Sequence, residues 1–128
     1  MKQILSISFI LLCFGFAQAQ IGEVKIVGNQ AKIYDEDAKF TYHSISMSSN
    51  AELADYNSKY IVVVDGNQAK IYDSKGSFTY KSINLCNNCT IRKVTNTAIL
   101  VKEGNMVKYY DFEGKYTCCT KRVFIGSQ

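Results

Sequence analysis

The stretch Gly28-Asn29-Gln30-Ala31-Lys32-Ile33-Tyr34-Asp35 is spelled again letter for letter at Gly66–Asp73, and returns as GNMVKYYD at Gly104–Asp111. Adding 38 to a position in the first copy gives its counterpart in the second, and again in the third. The register extends downstream, where Phe40-Thr41 matches Phe78-Thr79 and Tyr116-Thr117. A fixed period of about 20–50 residues marks stacked supersecondary units, none of which covers its own apolar face alone. The repeat is therefore architectural, with units over residues 22–50, 51–88 and 89–128.

Turn chemistry divides each unit into strands. Tyr60–Val64 is apolar and β-branched, and Asp65-Gly66-Asn67 follows with residues that tolerate φ > 0 in a tight hairpin. In Gln68–Tyr72, Ala69 and Ile71 alternate with Lys70 and Tyr72, the two-residue period of a strand. Asp73-Ser74-Lys75-Gly76 carries the Asp-first, Gly-fourth pattern of a type I turn and leads into SFTYKSINL. Asp111-Phe112-Glu113-Gly114 repeats that turn, whereas Asp35-Glu36-Asp37-Ala38 keeps the Asp and loses the Gly. Leading strands at Ala51–Tyr56 and Thr90–Val94 complete units two and three; unit one has none, because residues 1–19 occupy that place. The expected fold class is all-β: three 38-residue repeats, each built on a four-stranded antiparallel meander, with about eleven strands in total.

A four-stranded meander with such turns resembles a β-propeller blade, and KIYDSKGSFTYKSI resembles the turn-rich blades of secreted propeller proteins. The resemblance implies blade-like stacking across all three units. Propellers typically use four to eight blades, and this chain carries three. Three closures remain open: a half-propeller completed by a second copy, a β-trefoil closed within one chain, and an open twisted stack. Pairing of two copies would protect exposed sheet edges.

The chain of 128 residues opens with a basic Lys2, an apolar run from Ile4 to Phe16, and Ala17-Gln18-Ala19. This is the layout of a secretory signal peptide over residues 1–19. Its apolar core falls short of the ~20 residues of a spanning helix, so no membrane anchor is expected after cleavage. Cys13 follows Leu12 rather than the small residue that a lipid-acylated cysteine requires. Residues 20–128 then form a single all-β domain, secreted or periplasmic. Without Lys2 it holds fourteen basic and eleven acidic side chains, interspersed rather than in a basic block, which argues against nucleic acid as a partner.

Four cysteines remain in that domain: Cys86, Cys89, Cys118 and Cys119. An even number in an oxidising compartment favours disulfides, with three pairings available. A Cys86–Cys89 bridge fits a unit junction, while a bridge between the adjacent Cys118 and Cys119 would be strained. The competing reading is thiol-redox or metal chemistry through the same four residues. Structural zinc sites usually use two C-x-x-C pairs, and adjacent cysteines on a strand point to opposite faces.

Candidates for other chemistry are few. His43 is the single histidine and aligns with Lys81 and Cys119. Asp35-Glu36-Asp37 offers carboxylates of the kind calcium takes, but the repeat marks it as a turn variant. Asn88-Cys89-Thr90 is a glycosylation sequon where the secretory pathway is eukaryotic. Lys32, Tyr34, Lys70, Tyr72, Lys108 and Tyr110 recur on one strand face. Such a face suits a carbohydrate or protein ligand; the competing role is inter-sheet packing with lysines reaching to solvent. The expectation is a non-enzymatic binding module without cofactor. Intact mass of exported protein is expected to begin at Gln20; a product that retains Met1 would refute the cleavage.

Overall fold

The computed structural model describes residues 20–122, with side chains described for residues 20–117. Residues 1–19 and the side chains of Cys118 and Cys119 lie outside the described residues. Eleven strands run through the described chain. The first sheet contains β1 (Ile21–Val27), β2 (Gln30–Asp35) and β3 (Phe40–Ser46). The second contains β4 (Ala51–Tyr56), β5 (Tyr60–Asp65), β6 (Gln68–Asp73) and β7 (Phe78–Asn84). The third contains β8 (Cys89–Val94), β9 (Ile99–Glu103), β10 (Met106–Tyr110) and β11 (Tyr116–Arg122). Every strand pairs antiparallel with its neighbour in sequence. The first sheet has three strands among the described residues, and the counterpart of β4 would fall at residues 13–18, outside them. The trefoil alternative is corrected: the strands form three separate sheets, and no barrel closes.

The turns follow from side-chain chemistry. Gly28, Gly66 and Gly104 take φ of 62°, 65° and 62° at the first position of two-residue hairpin loops. Only glycine adopts that conformation freely. In the next turn Asp73 Oδ1 accepts hydrogen bonds from the backbone N–H of Lys75 and Ser77, both at 2.9 Å. Asp35 and Asp111 do the same for Asp37 and Lys39, and for Glu113 and Lys115. The repeated aspartate is a turn cap.

The sheets stack face to face. In β5 successive residues are buried on opposite faces of the same sheet. Ile61 and Val63 join Ile21, Val24, Ala31, Ile33 and Ile45 of the first unit. Val62 joins Ala69, Ile71, Ile83 and Leu85 in meeting Val94, Ile99 and Val101 of the third. Burying one such side chain contributes about 1.5–3 kcal/mol, so the two seams hold the three units together. Polar contacts align them: Asp55 Oδ2 accepts from Val94 N at 2.8 Å, and Asn57 Nδ2 donates to the Thr95 carbonyl at 2.8 Å.

The repeat changes where stacking stops. Glu23 and Lys25 occupy the first unit's equivalents of Ile61 and Val63, and both are exposed. Lys102 and Tyr109 stand on the last unit in place of Val64 and Ile71. Gly76 and Gly114 behave likewise. A Cβ on Gly76 would lie 2.7 Å from the Ser44 carbonyl oxygen of the preceding unit, and one on Gly114 would lie 2.5 Å from that of Ser82. The first unit has no such neighbour among the described residues, and its counterpart is Ala38 at φ 64°.

Gly114→Ala is therefore expected to destabilise the fold by about 1–3 kcal/mol, since positive φ and a backbone clash add. Gly104→Ala meets nothing within 4 Å and should cost only about 1 kcal/mol. Urea denaturation of both variants checks this, and equal midpoints would refute the close inter-sheet approach.

Candidate functional site

The third strand of each unit is not regular. Between the cross-strand pairs Ile33↔His43 and Tyr34↔Phe40, β3 carries two extra residues, Thr41 and Tyr42. The same bulge lies between Ile71↔Lys81 and Tyr72↔Phe78 in β7. The repeated threonine bridges it. Thr41 Oγ1 donates to the Ile33 carbonyl at 2.8 Å and accepts from His43 N at 3.3 Å. Thr79 makes the matching bonds to Ile71 and Lys81. Thr117 donates to the Tyr109 carbonyl at 3.0 Å.

This bridge leaves Tyr42 at φ 65° and Tyr80 at φ 64°. Positive φ is uncommon for a residue with a bulky side chain, and it carries a conformational cost. Both rings are 86% exposed, so burial does not offset it. Each ring instead extends a row. Tyr34, Phe40 and Tyr42 have successive centroids 5.4 and 5.0 Å apart. Tyr72, Phe78 and Tyr80 repeat the row at 5.4 and 5.1 Å. In the third unit Tyr110 and Tyr116 are 5.7 Å apart, and the sequence has Cys118 where the next ring would stand.

Of the repeated Tyr/Lys face, Tyr72 packs against the seam between units one and two, and Tyr110 against the seam between two and three. Tyr34 lies on the outward face of the first sheet, beneath the Lys25 ammonium at 4.9 Å. Lys32 sits 5.5 Å from the Phe40 centroid and Lys70 5.9 Å from that of Phe78. Lys70 also pairs with Asp65 at 3.3 Å, and Lys108 with Glu103 at 2.5 Å. That hydrogen bond to Glu103 raises the Lys108 ammonium above the usual lysine value. Local alternation does not distinguish Tyr42 and Tyr80: the two extra residues preserve the two-residue period, and the positive φ and exposure emerge only in the folded strand. The signal available was Phe-Thr-Tyr repeated after the first two aspartate turns.

Cys86 and Cys89 form a disulfide with Cα atoms 5.0 Å apart, as the unit-junction pairing anticipated. A carboxylate oxygen of Glu103 lies within 4.8 Å of both sulfurs. Metal binding requires thiolates, and both sulfurs are engaged with each other here. Beside the bridge, β4 and β8 flank a half-open cleft of about 220 Å³ lined by Glu52, Leu53, Val64, Leu85, Cys89 and Ile91. Its volume lies below the ~300–1,000 Å³ of small-molecule sites. Among the described residues no charged or polar side chain is buried, and His43 is exposed. No helix among them is long and apolar enough to cross a membrane.

No protein-family model matches the chain, and no curated protein is similar to it. Among solved structures it is similar to a protein of unknown function from Bacteroides caccae, with 13% identity and a TM-score of 0.50. The match covers 78% of this chain and 40% of that one, so the chain spans about two fifths of its length. The likeness concerns the fold alone.

The disulfide closes a loop of only four residues at the entry to the third unit, for which chain entropy gives about 2 kcal/mol. Reduction is expected to lower hydrogen-exchange protection in β8–β10 while β2 and β6 keep theirs. An even loss over all three sheets would refute that local role.

Proposed function

We propose that this protein is a non-enzymatic ligand-binding module of an extracytoplasmic compartment, secreted or periplasmic, whose contact surface is the aromatic rows of its outer strands. The observation that carries the reading is the pair Tyr42 and Tyr80. Both hold exposed rings on left-handed backbone, at one position of two successive repeats. Strain with little return in burial is characteristic of positions kept for function. The disulfide supports an oxidising environment.

The chemistry of the rows favours carbohydrate over protein as ligand. Flat, amphipathic rings that share a face with Ser44 and lysines suit stacking against the C–H face of a sugar. A protein hot spot draws its energy from a well-packed pocket that excludes water, and neither row lies in one.

Tyr42→Asn and Tyr80→Asn separate function from folding, because asparagine tolerates positive φ better than tyrosine. Each variant is expected to keep or raise stability, by up to about 1 kcal/mol, while the double variant loses retention on immobilised polysaccharides. Affinity electrophoresis against a panel of plant and bacterial polysaccharides, with thermal melting in parallel, measures both. Unchanged retention in the double variant would overturn the assignment.

A further inference from the structure

Resting on that reading, we propose that the outward face of the first sheet takes an acidic polysaccharide bearing one carboxylate per sugar, a uronic-acid polymer. Two departures from the repeat create the face. Where the second and third units bury Val63 and Val101, the first carries the exposed Lys25. Where Lys70 and Lys108 pair with Asp65 and Glu103, the position that would serve Lys32 is Val27, 49% exposed. Lys32 has therefore lost the carboxylate that its two counterparts keep.

Lys25 and Lys32 are also direct cross-strand partners on β1 and β2. Like charges placed opposite one another on a sheet repel. Glu23 faces the same way two residues along, but among the described residues it forms no ion pair with either lysine. Both ammonium groups lie instead over the row, Lys25 on Tyr34 and Lys32 on Phe40. An anion brought to the rings would relieve the repulsion and gain two charge-assisted hydrogen bonds. Gln30, Ser44 and Ser46 follow on the same face by register, and they provide uncharged partners for sugar hydroxyls. Two neighbouring ammonium groups beside a three-ring row suit a polymer with one carboxylate per sugar, whereas a heavily sulfated glycan calls for a denser basic cluster.

A blade from a second copy is a poor occupant for this face. It would have to bury Glu23 and Lys25, and it would bring a carbonyl against the Ala38 Cβ where the other units have glycine. The half-propeller dimer meets the same two obstacles.

The test uses the mature protein with polygalacturonate, heparin and neutral dextran, read by affinity electrophoresis and titration calorimetry. Polygalacturonate is expected to bind best, with affinity falling as salt rises. Lys25→Gln/Lys32→Gln should weaken it about tenfold, the combined effect of two exposed charge pairs. Val27→Asp should weaken it several-fold by restoring to Lys32 the partner that Lys70 has, and melting curves of both variants should stay close to wild type. Undiminished binding by the lysine and Val27 variants would overturn the anionic ligand while leaving the aromatic rows in place. Tighter binding of heparin or dextran than of polygalacturonate would overturn the uronate assignment. Loss of all binding in Tyr42→Asn/Tyr80→Asn, together with selective loss of polygalacturonate in the lysine variant, would support both readings. A wild-type dimer in light scattering that Lys25→Gln strengthens would assign the face to a second copy instead and overturn the proposal.

Discussion

A sheet that is apolar on both faces has to be covered on both faces, and the middle sheet imposes that condition on the whole molecule. Ile61 and Val63 turn toward one neighbour, and Val62 and Ile71 toward the other. An isolated four-stranded meander with such residues would expose an apolar patch on each side, which water opposes at about 25 cal/mol per Å². Stacking the units in chain order removes both patches with short connections. The close packing then reaches the backbone: Gly76 and Gly114 have no room for a side chain because the preceding unit's carbonyl lies against them. The glycine is thus a tertiary requirement as well as a turn requirement. Its replacement by Ala38 in the first unit, with φ still near 64°, separates the two.

The ends of the stack obey different physics. On the first unit's outward face, which no sheet among the described residues covers, apolar residues at the equivalents of Ile61 and Val63 would lie exposed, and Glu23 and Lys25 stand there. The polar substitutions keep the terminal face hydrated while the sheet beneath stays regular. They also leave cations and rings together on a surface that no described sheet covers, whereas at the seams Tyr72 and Tyr110 are drawn partly into packing. One repeated residue type thus takes two roles according to whether a neighbouring sheet covers it. Tyr34 remains available because nothing among the described residues covers it.

The bulged third strands place the exposed rings and the connections between units on the same framework. Thr41 and Thr79 satisfy backbone groups that the bulge removes from the ladder, which lets Tyr42 and Tyr80 adopt positive φ without leaving those groups unbonded. An unpaired backbone group there would be costly, and a hydroxyl one residue before the tyrosine is the local remedy. The connection from β7 to β8 is held differently, by a covalent bridge between Cys86 and Cys89.

Strand order, turn positions and the alternation of Ala69 and Ile71 with Lys70 and Tyr72 were legible in the sequence. Each depends on neighbours within a few residues, and a period of 38 repeats the message three times. The sequence left three cysteine pairings open, and the fold brings Cys86 and Cys89 together. The path of closure was not legible, because one set of hairpins suits a ring, a trefoil or a stack until the faces meet. Nor was the fate of the repeated tyrosines: Tyr34, Tyr72 and Tyr110 share one local sequence, and only the presence or absence of a neighbouring sheet distinguishes them. Nor was the exposure of Tyr42 and Tyr80, because the bulge keeps the two-residue period and changes only the backbone conformation and the local pairing. Local chemistry, set by backbone conformation and side-chain caps over a few bonds, is written in the sequence itself. Exposure and burial are decided between residues far apart in the chain, and only the tertiary structure brings them face to face.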